Sequence, residues 1–266
     1  IATFLLALRS VPESRLSGAR GFDLAGAASV TGGLVALVYA IVKAQEVGWT
    51  SARTLGLVAV AVLLIAAFLA IQVRAREPLV RLGIFRTRTL SAANGVMLAV
   101  SGGMFAIFYF ATLYVQQILH LSPVQAGLGF LPLTAAIIAA SGFSQRLIPR
   151  LGIRNVALGG MTVAAAGLLL LSRIPVDGSY ASDLLPGLVL MGLGLGFTFV
   201  PMTLIATTNV PAGDAGLASG LFNTSQQVGG ALGLAILSTV AANATEDSLG
   251  GAGATPSALQ SAQALV

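Results

Sequence analysis

The chain has 266 residues, of which 56% are hydrophobic and 9% charged, with a formal net charge of +5 and no cysteine. Its mean hydropathy is +0.92. A soluble globular domain carries about 25% charged residues, so that class is excluded, and without cysteine there are no disulfides, no cysteine zinc sites and no thiol catalysis.

In chain order, Ile1 to Leu8 is apolar but too short to span a bilayer. It lacks a starting Met and a small-residue cleavage site, so it reads as the last two turns of an earlier helix rather than a signal peptide. Arg9 to Asp23 holds Pro12 and Gly18, which discourage a helix, and residues 1–23 are therefore the end of a preceding transmembrane helix and a loop. Seven apolar stretches follow: 24–42, 54–73, 91–119, 124–145, 155–172, 184–206 and 215–242, none with an Asp, Glu, Lys or Arg. About 20 residues at about 1.5 Å each cross the hydrocarbon, so each predicts a transmembrane helix. The first two form a central pair joined by a tight turn at 44–53, where Trp49 suits the membrane interface.

The segment 74–89 is the longest basic gap. Pro78 can open a short helix in which Leu79, Leu82 and Phe85 recur at i, i+3 and i+6 opposite arginines, predicting an amphipathic helix on the membrane surface, with a solvated basic loop as the alternative. The central pair and this linker occupy 24–90, and 91–266 forms a further domain. Its tail, 250–266, is a Gly/Ala/Ser-rich loop that stops where another apolar run could begin, so the chain reads as a fragment of a longer protein.

Alternation of charge sets the orientation. Eleven arginines (9, 15, 20, 74, 76, 81, 86, 88, 146, 150 and 154) occupy one set of gaps, and only Lys43, Arg53 and Arg173 the other. Short cytoplasmic loops retain basic residues, so the first set is cytoplasmic. These arginines have no interleaved aromatic platform, which argues against a nucleic-acid partner and for a lipid bilayer.

No enzyme signature is present: there is no nucleophile elbow, no phosphate-binding Gly-Lys-Ser/Thr loop and no His-Glu-x-x-His pair. A lone His120, with no carboxylate in any apolar stretch, offers no metal centre. GLGLG at 192–196 lies within an apolar span without a preceding strand, so no cofactor is expected. Gly192, Gly194 and Gly196, with Pro201 beyond them, and the pairs Gly216/Gly220 and Gly229/Gly233 allow close helix packing, with or without rocking.

Uncharged polarity is what the spans offer. Ser101, Phe105, Tyr109, Thr112 and Gln116 fall on one face of the third span, near Asn94, and Asn223, Thr224, Gln226 and Gln227 mark the seventh. Polar groups at membrane depth face the bundle or a wet cavity, either as a ligand wall or as interhelical hydrogen bonds. His120 lies in an external loop, HLSP, where a solvated histidine is the common case.

REPLVRLGIFRTRTLSAAN (76–94), YFATLYVQQILHLSPVQAGLGFLP (109–132), GLVLMGLGLGFTFVP (187–201) and AGLASGLFNTSQQVGGALGLAIL (215–237) closely resemble the fourteen-helix drug:proton antiporters of the major facilitator superfamily. The resemblance covers nearly the whole chain. It implies an all-α polytopic bundle in a bacterial plasma membrane, made of the end of a sixth helix, the extra central pair, and a C-terminal domain without its last helix. It further implies export of drug-like small molecules between two rocking halves. In 142–154, Gly142, Arg150, Gly152 and Arg154 fit a degenerate copy of the family's cytoplasmic gating loop, but Pro149 stands at its acidic position, and His120 stands where many relatives have Gly.

The resemblance together with the polar pattern nominates Asn94, Phe105, Tyr109, Gln116, Asn223 and Gln227 for substrate contact. Arg81, Arg86, Arg88, Gly142, Arg150, Gly152 and Arg154 are nominated for cytoplasmic gating or anchoring. With no carboxylate in any stretch, protons would be carried by the missing N-terminal half. The alternatives are a passive or metabolite-specific exporter, such as one for a self-made antibiotic, and a non-transporting membrane scaffold.

Overall fold

A computed structural model of the chain describes residues 23–75, 78, 80, 82–175, 178–208, 210 and 214–251. The helices are α1 Leu24–Val47, α2 Ala52–Arg74, α3 Arg88–Leu113, α4 Pro123–Gly129, α5 Leu131–Leu151, α6 Ile153–Leu171, α7 Leu185–Thr207 and α8 Ala215–Gly251. A 3-10 turn at Leu82–Arg86 precedes α3, and π-helical turns at Tyr114–Ile118 and Tyr180–Leu184 extend α3 and lead into α7. Among the described residues, six segments are long and apolar enough to cross a membrane: 24–44, 52–74, 88–118, 123–151, 153–171 and 180–207. The seventh stretch, 215–242, is helical within α8.

Helix boundaries follow local chemistry. Asp23 caps α1 by accepting the Gly26 N–H, Ser51 caps α2, and Ser122 with Gln125 forms a capping box ahead of Pro123. Between α5 and α6 only Gly152 is non-helical, at a φ of +83° that favours glycine. The gating-loop copy at 142–154 is thus almost wholly helical, because α5 runs through Pro149 to Leu151. Arg74 and Arg150 end helices, where a cation complements the dipole, but Arg88 and Arg154 begin helices, where it opposes the dipole. That opposing term is about 0.3–1 kcal/mol at an exposed site, small enough for the inside-positive preference to override it.

In the linker, the described residues 75, 78, 80 and 82–87 do not form the α-helix expected from the sequence. Pro78 lies outside any helix, and the 3-10 turn buries Ile84 while leaving Phe85 exposed. The cause is tertiary. Ile84 plugs a core with Leu90, Met97, Met202 and Phe222; the buried Gln72 carboxamide accepts the Val80 N–H and donates to Asp23; and the Ser91 hydroxyl bonds the Phe85 carbonyl. Leu79, Arg81 and the whole of 1–22 lie outside the described residues, as does the Arg86 side chain.

Small residues set the packing. α7 is wedged between α5 and α6: a Cβ on Gly192 or Gly196 would strike α5 at Leu133 O or Ile137 O, and one on Gly194 would strike Ala164 of α6. Residues i and i+4 share a face and i+2 points the other way, so GLGLG serves two neighbours at once. α3 pairs with α8 through Gly102, Gly229 and Gly233, and α1 pairs with α2 and touches α8. One core lies toward the arginine-rich end. The other, around Val115, Leu133, Leu188, Met191 and Leu195, lies toward the opposite end.

Candidate functional site

The six residues nominated for substrate contact divide between a seam and an exposed face. Asn94 is 8% exposed and bridges helices: its Nδ2 donates to Leu90 O at 2.9 Å, and its Oδ1 accepts from Ser225 Oγ of α8 at 2.8 Å. Both ends of the amide are engaged, which is the interhelical role that competes with ligand contact for any polar residue in a span. Ser225 carried no signal in the sequence, since nothing local marks a partner 131 positions away.

Phe105 of α3 is partly exposed and its ring lies on Gly230, where a Cβ would stand 2.7 Å away. One turn further, half-buried Tyr109 meets the Phe110 ring edge-on, with centroids 5.3 Å apart. On α8, Asn223 and Gln227 are both exposed, and with Gly230 they fall at i, i+4 and i+7. Phe105 therefore continues an α8 stripe, and the two helices present one uncharged aromatic and amide surface. Gln116 is exposed but belongs to the π-turn. A π-turn inserts one residue and rotates all that follows by about 100°, so Gln116 leaves the line predicted for it with Tyr109.

Other polar groups of this span lie elsewhere. Thr112, on the predicted face, donates to Phe108 O at 2.6 Å, and Tyr114, off that face, donates from its OH to Pro175 O at 3.1 Å. Ser101 is 1% exposed, and its hydroxyl has no hydrogen-bond partner among the described residues. At mid-depth an apolar cavity of about 150 Å³ opens between α3, α6 and α7, lined by Ala99, Gly103, Met161, Ala164, Leu195 and Thr198 among others. None of the six nominated residues lines it.

At the arginine-rich end, Arg88, Arg150 and Arg154 are exposed, and the Arg146 guanidinium sits 6.0 Å from the Phe143 ring centroid. A Cβ on Gly142 would meet nothing within 4 Å, so no contact demands glycine there, in contrast to the turn at Gly152. At the opposite end, Tyr180 OH donates to Gly129 O at 2.6 Å, tying the start of the α7 segment to the α4–α5 break at Phe130. His120 adopts a φ of +53° just past the first π-turn, where glycine is the unstrained residue. Among the described residues there is no grouping of three or more His, Cys, Asp or Glu able to hold a metal.

Comparison with known proteins gives a concordant result. Residues 2–234 match the sequence model of the Major Facilitator Superfamily. The chain is 39% identical over 258 residues to the puromycin resistance protein pur8 of Streptomyces alboniger, covering 96% of this chain and 51% of that protein. It is 35% identical over 248 residues to the tetracenomycin C resistance and export protein of Streptomyces glaucescens, covering 93% and 46%. It is 32% identical over 237 residues to the multidrug resistance protein Stp of Mycobacterium tuberculosis, covering 89% and 44%. The chain thus spans about half the length of these curated relatives.

Proposed function

The chain belongs to the major facilitator superfamily, and from that premise we propose that it forms the C-terminal part of a proton-coupled drug exporter of the bacterial plasma membrane. The observation that carries the reading is the uncharged surface shared by α3 and α8: Phe105, Tyr109, Asn223 and Gln227, with Gln116 within the π-turn and off that line. Such a surface offers aromatic faces and amide hydrogen bonds to a large, partly apolar molecule without demanding a charge of either sign. Asn94 acts one step back, holding α3 to α8 through Ser225.

In this reading the surface faces a second, preceding half of the transporter, and alternating access exposes it to either side of the membrane. The glycine seams keep α5–α6–α7 and α3–α8 as stiff units. Arg88, Arg150 and Arg154, together with Arg81 and Arg86, anchor the cytoplasmic rim, and Gly152 makes the tight turn between α5 and α6. The apolar stretches contain no Asp, Glu, His, Lys or Arg, so in this reading the group that carries the proton belongs to the preceding half.

Two relatives are named for resistance to single antibiotics and one for multidrug resistance. This supports drug-like substrates and keeps a dedicated antibiotic exporter as a second reading. The test is efflux by the full-length protein carrying Tyr109→Ala or Gln227→Ala. Each variant should lose export at unchanged membrane level, and wild-type export by both would sink the surface assignment. Substrate-dependent proton movement in proteoliposomes separates coupled from passive transport, and the breadth of resistance separates a multidrug from a dedicated exporter.

A further inference from the structure

A second cavity, of about 200 Å³, lies at the end of the molecule away from the cytoplasmic arginines, in the cleft between the end of α6 and the π-turn leading into α7. Its walls are Leu170, Arg173, Ile174, Ser182, Asp183 and Pro186. Arg173 stands on the α6 side and Asp183 on the α7 side. The carboxylate is held by Ser179 N–H at 2.7 Å and Ser182 Oγ at 2.6 Å, both on its own turn, rather than by the arginine. A cation and an anion thus share one cleft, each mounted on a different segment.

Depth sorts the walls by polarity. α6 climbs toward this surface, so exposed Leu170 lies three residues below Arg173. α7 descends from it, so exposed Pro186 lies three residues below Asp183. Three residues of helix are about 4.5 Å. The rim is charged and the floor apolar within one turn, which is the polarity profile of a phospholipid where its head group meets its acyl chains.

We propose that this cleft binds a phospholipid with a primary-ammonium zwitterionic head group, that is, a phosphatidylethanolamine, from the outer leaflet. Arg173 takes the phosphate, a geometry to which guanidinium is suited. Asp183 retains acceptor capacity for the ammonium N–H groups, and Leu170, Ile174 and Pro186 lie along the upper acyl chain. Charge complementarity selects among lipids. A choline head group carries no N–H to donate, and a phosphatidylglycerol head group, its phosphate on Arg173, sets a neutral glycerol rather than an ammonium against Asp183 and leaves that carboxylate's charge without a cation from the lipid. The inference requires only that the chain spans a membrane with its arginine-rich end cytoplasmic, and it is independent of what the transporter exports.

The experiment is native mass spectrometry of the intact, full-length transporter released from micelles doped with equal phosphatidylethanolamine, phosphatidylcholine and phosphatidylglycerol. Wild type should retain phosphatidylethanolamine at least about fivefold over either competitor, the factor corresponding to about 1 kcal/mol. Asp183→Asn should bring the ethanolamine-to-choline ratio toward one and raise retention of phosphatidylglycerol. Arg173→Gln should lower retention of all three lipids, and Arg53→Gln, an arginine at the same membrane surface but outside the cleft, should match wild type. Soluble glycerophosphoethanolamine at millimolar concentration should not displace the lipid, because the apolar floor contributes to binding. The proposal is overturned by equal retention of the three lipids on wild type, by an unchanged lipid ratio in Asp183→Asn, or by displacement of the lipid with the soluble head group.

Discussion

Two glycine pairs in α8 have the same four-residue spacing and opposite surroundings. A Cβ on Gly216 or Gly220 would meet nothing within 4 Å. On Gly229 it would fall 2.6 Å from Leu98 Cα and 2.7 Å from Leu98 C, and on Gly233 it would strike Gly102, with its carbonyl carbon at 2.7 Å and its oxygen at 3.0 Å. Ordinary contact begins at 3.4 Å, so at Leu98 Cα the shortfall is 3.4 minus 2.6, or 0.8 Å, and the Leu98 carbonyl oxygen lies nearer still. The obstructing atoms are backbone, which no rotamer change can relieve, so α3 and α8 must part by at least that distance. Overpacking of this kind costs about 1–3 kcal/mol. Replacing a helical glycine with alanine recovers up to about 1 kcal/mol of backbone entropy. The expected balance is a loss of ~1–2 kcal/mol for Gly229→Ala or Gly233→Ala, and a gain of ~0.5–1 kcal/mol for Gly216→Ala or Gly220→Ala. The parting also stretches the Asn94–Ser225 bond in the same seam, worth about 0.6 kcal/mol by analogy with other membrane helices. The measurement is unfolding of the full-length protein by sodium dodecyl sulfate in mixed micelles, followed by circular dichroism. If Gly229→Ala and Gly233→Ala raise the unfolding midpoint as Gly216→Ala does, the close crossing of α3 and α8 is wrong.

Three further outcomes follow from named contacts. His120→Gly relieves a left-handed residue and should stabilise by about 1 kcal/mol, whereas His120→Ala, equally strained, should give no gain; the same unfolding assay compares them. Tyr180→Phe removes the hydrogen bond to Gly129 O while keeping the ring against that glycine, and should cost about 0.5–1.5 kcal/mol. Gln72→Leu deprives both the Asp23 carboxylate and the Val80 N–H of a partner. It should cost about 1–3 kcal/mol and speed amide exchange at Val80, and unchanged exchange there would remove the Gln72 tether from the account of the linker.

The spans were legible because a bilayer imposes a length and a polarity that can be counted along the chain, and the alternation of arginines needed only the loops between them. Helix pairing was not legible. Gly216/Gly220 and Gly229/Gly233 are indistinguishable by spacing, and only the second pair meets a neighbour. The described part of the linker differs for a related reason: i, i+3, i+6 spacing suggests a free surface helix, but Ile84, outside that stripe, lies buried among α3, α7 and α8 in a 3-10 turn. Burial against other helices outweighed the local pattern.

The candidate surface shows the same division. A sequence face extrapolated over 15 residues assumes an uninterrupted α-helix, and the π-turn at Tyr114–Ile118 breaks that assumption between Tyr109 and Gln116. Polarity alone also could not separate Asn94 from Asn223, since both are asparagines in apolar helices. The difference is that Asn94 lies in the seam, where Ser225 reaches its carbonyl and Leu90 O takes its amide, while Asn223, among the described residues, bonds to Ser219 O of its own helix and stays exposed. A buried amide in a span must find partners or cost several kcal/mol, so Asn94 is spent on holding α3 to α8. Exposed amides such as Asn223 and Gln227 keep hydrogen-bonding capacity for whatever faces them. Removing the first should loosen the scaffold and removing the second should alter what it handles, so Asn94→Leu and Gln227→Leu ought to separate cleanly: unfolding midpoint down in the former, transport changed at an unaltered midpoint in the latter.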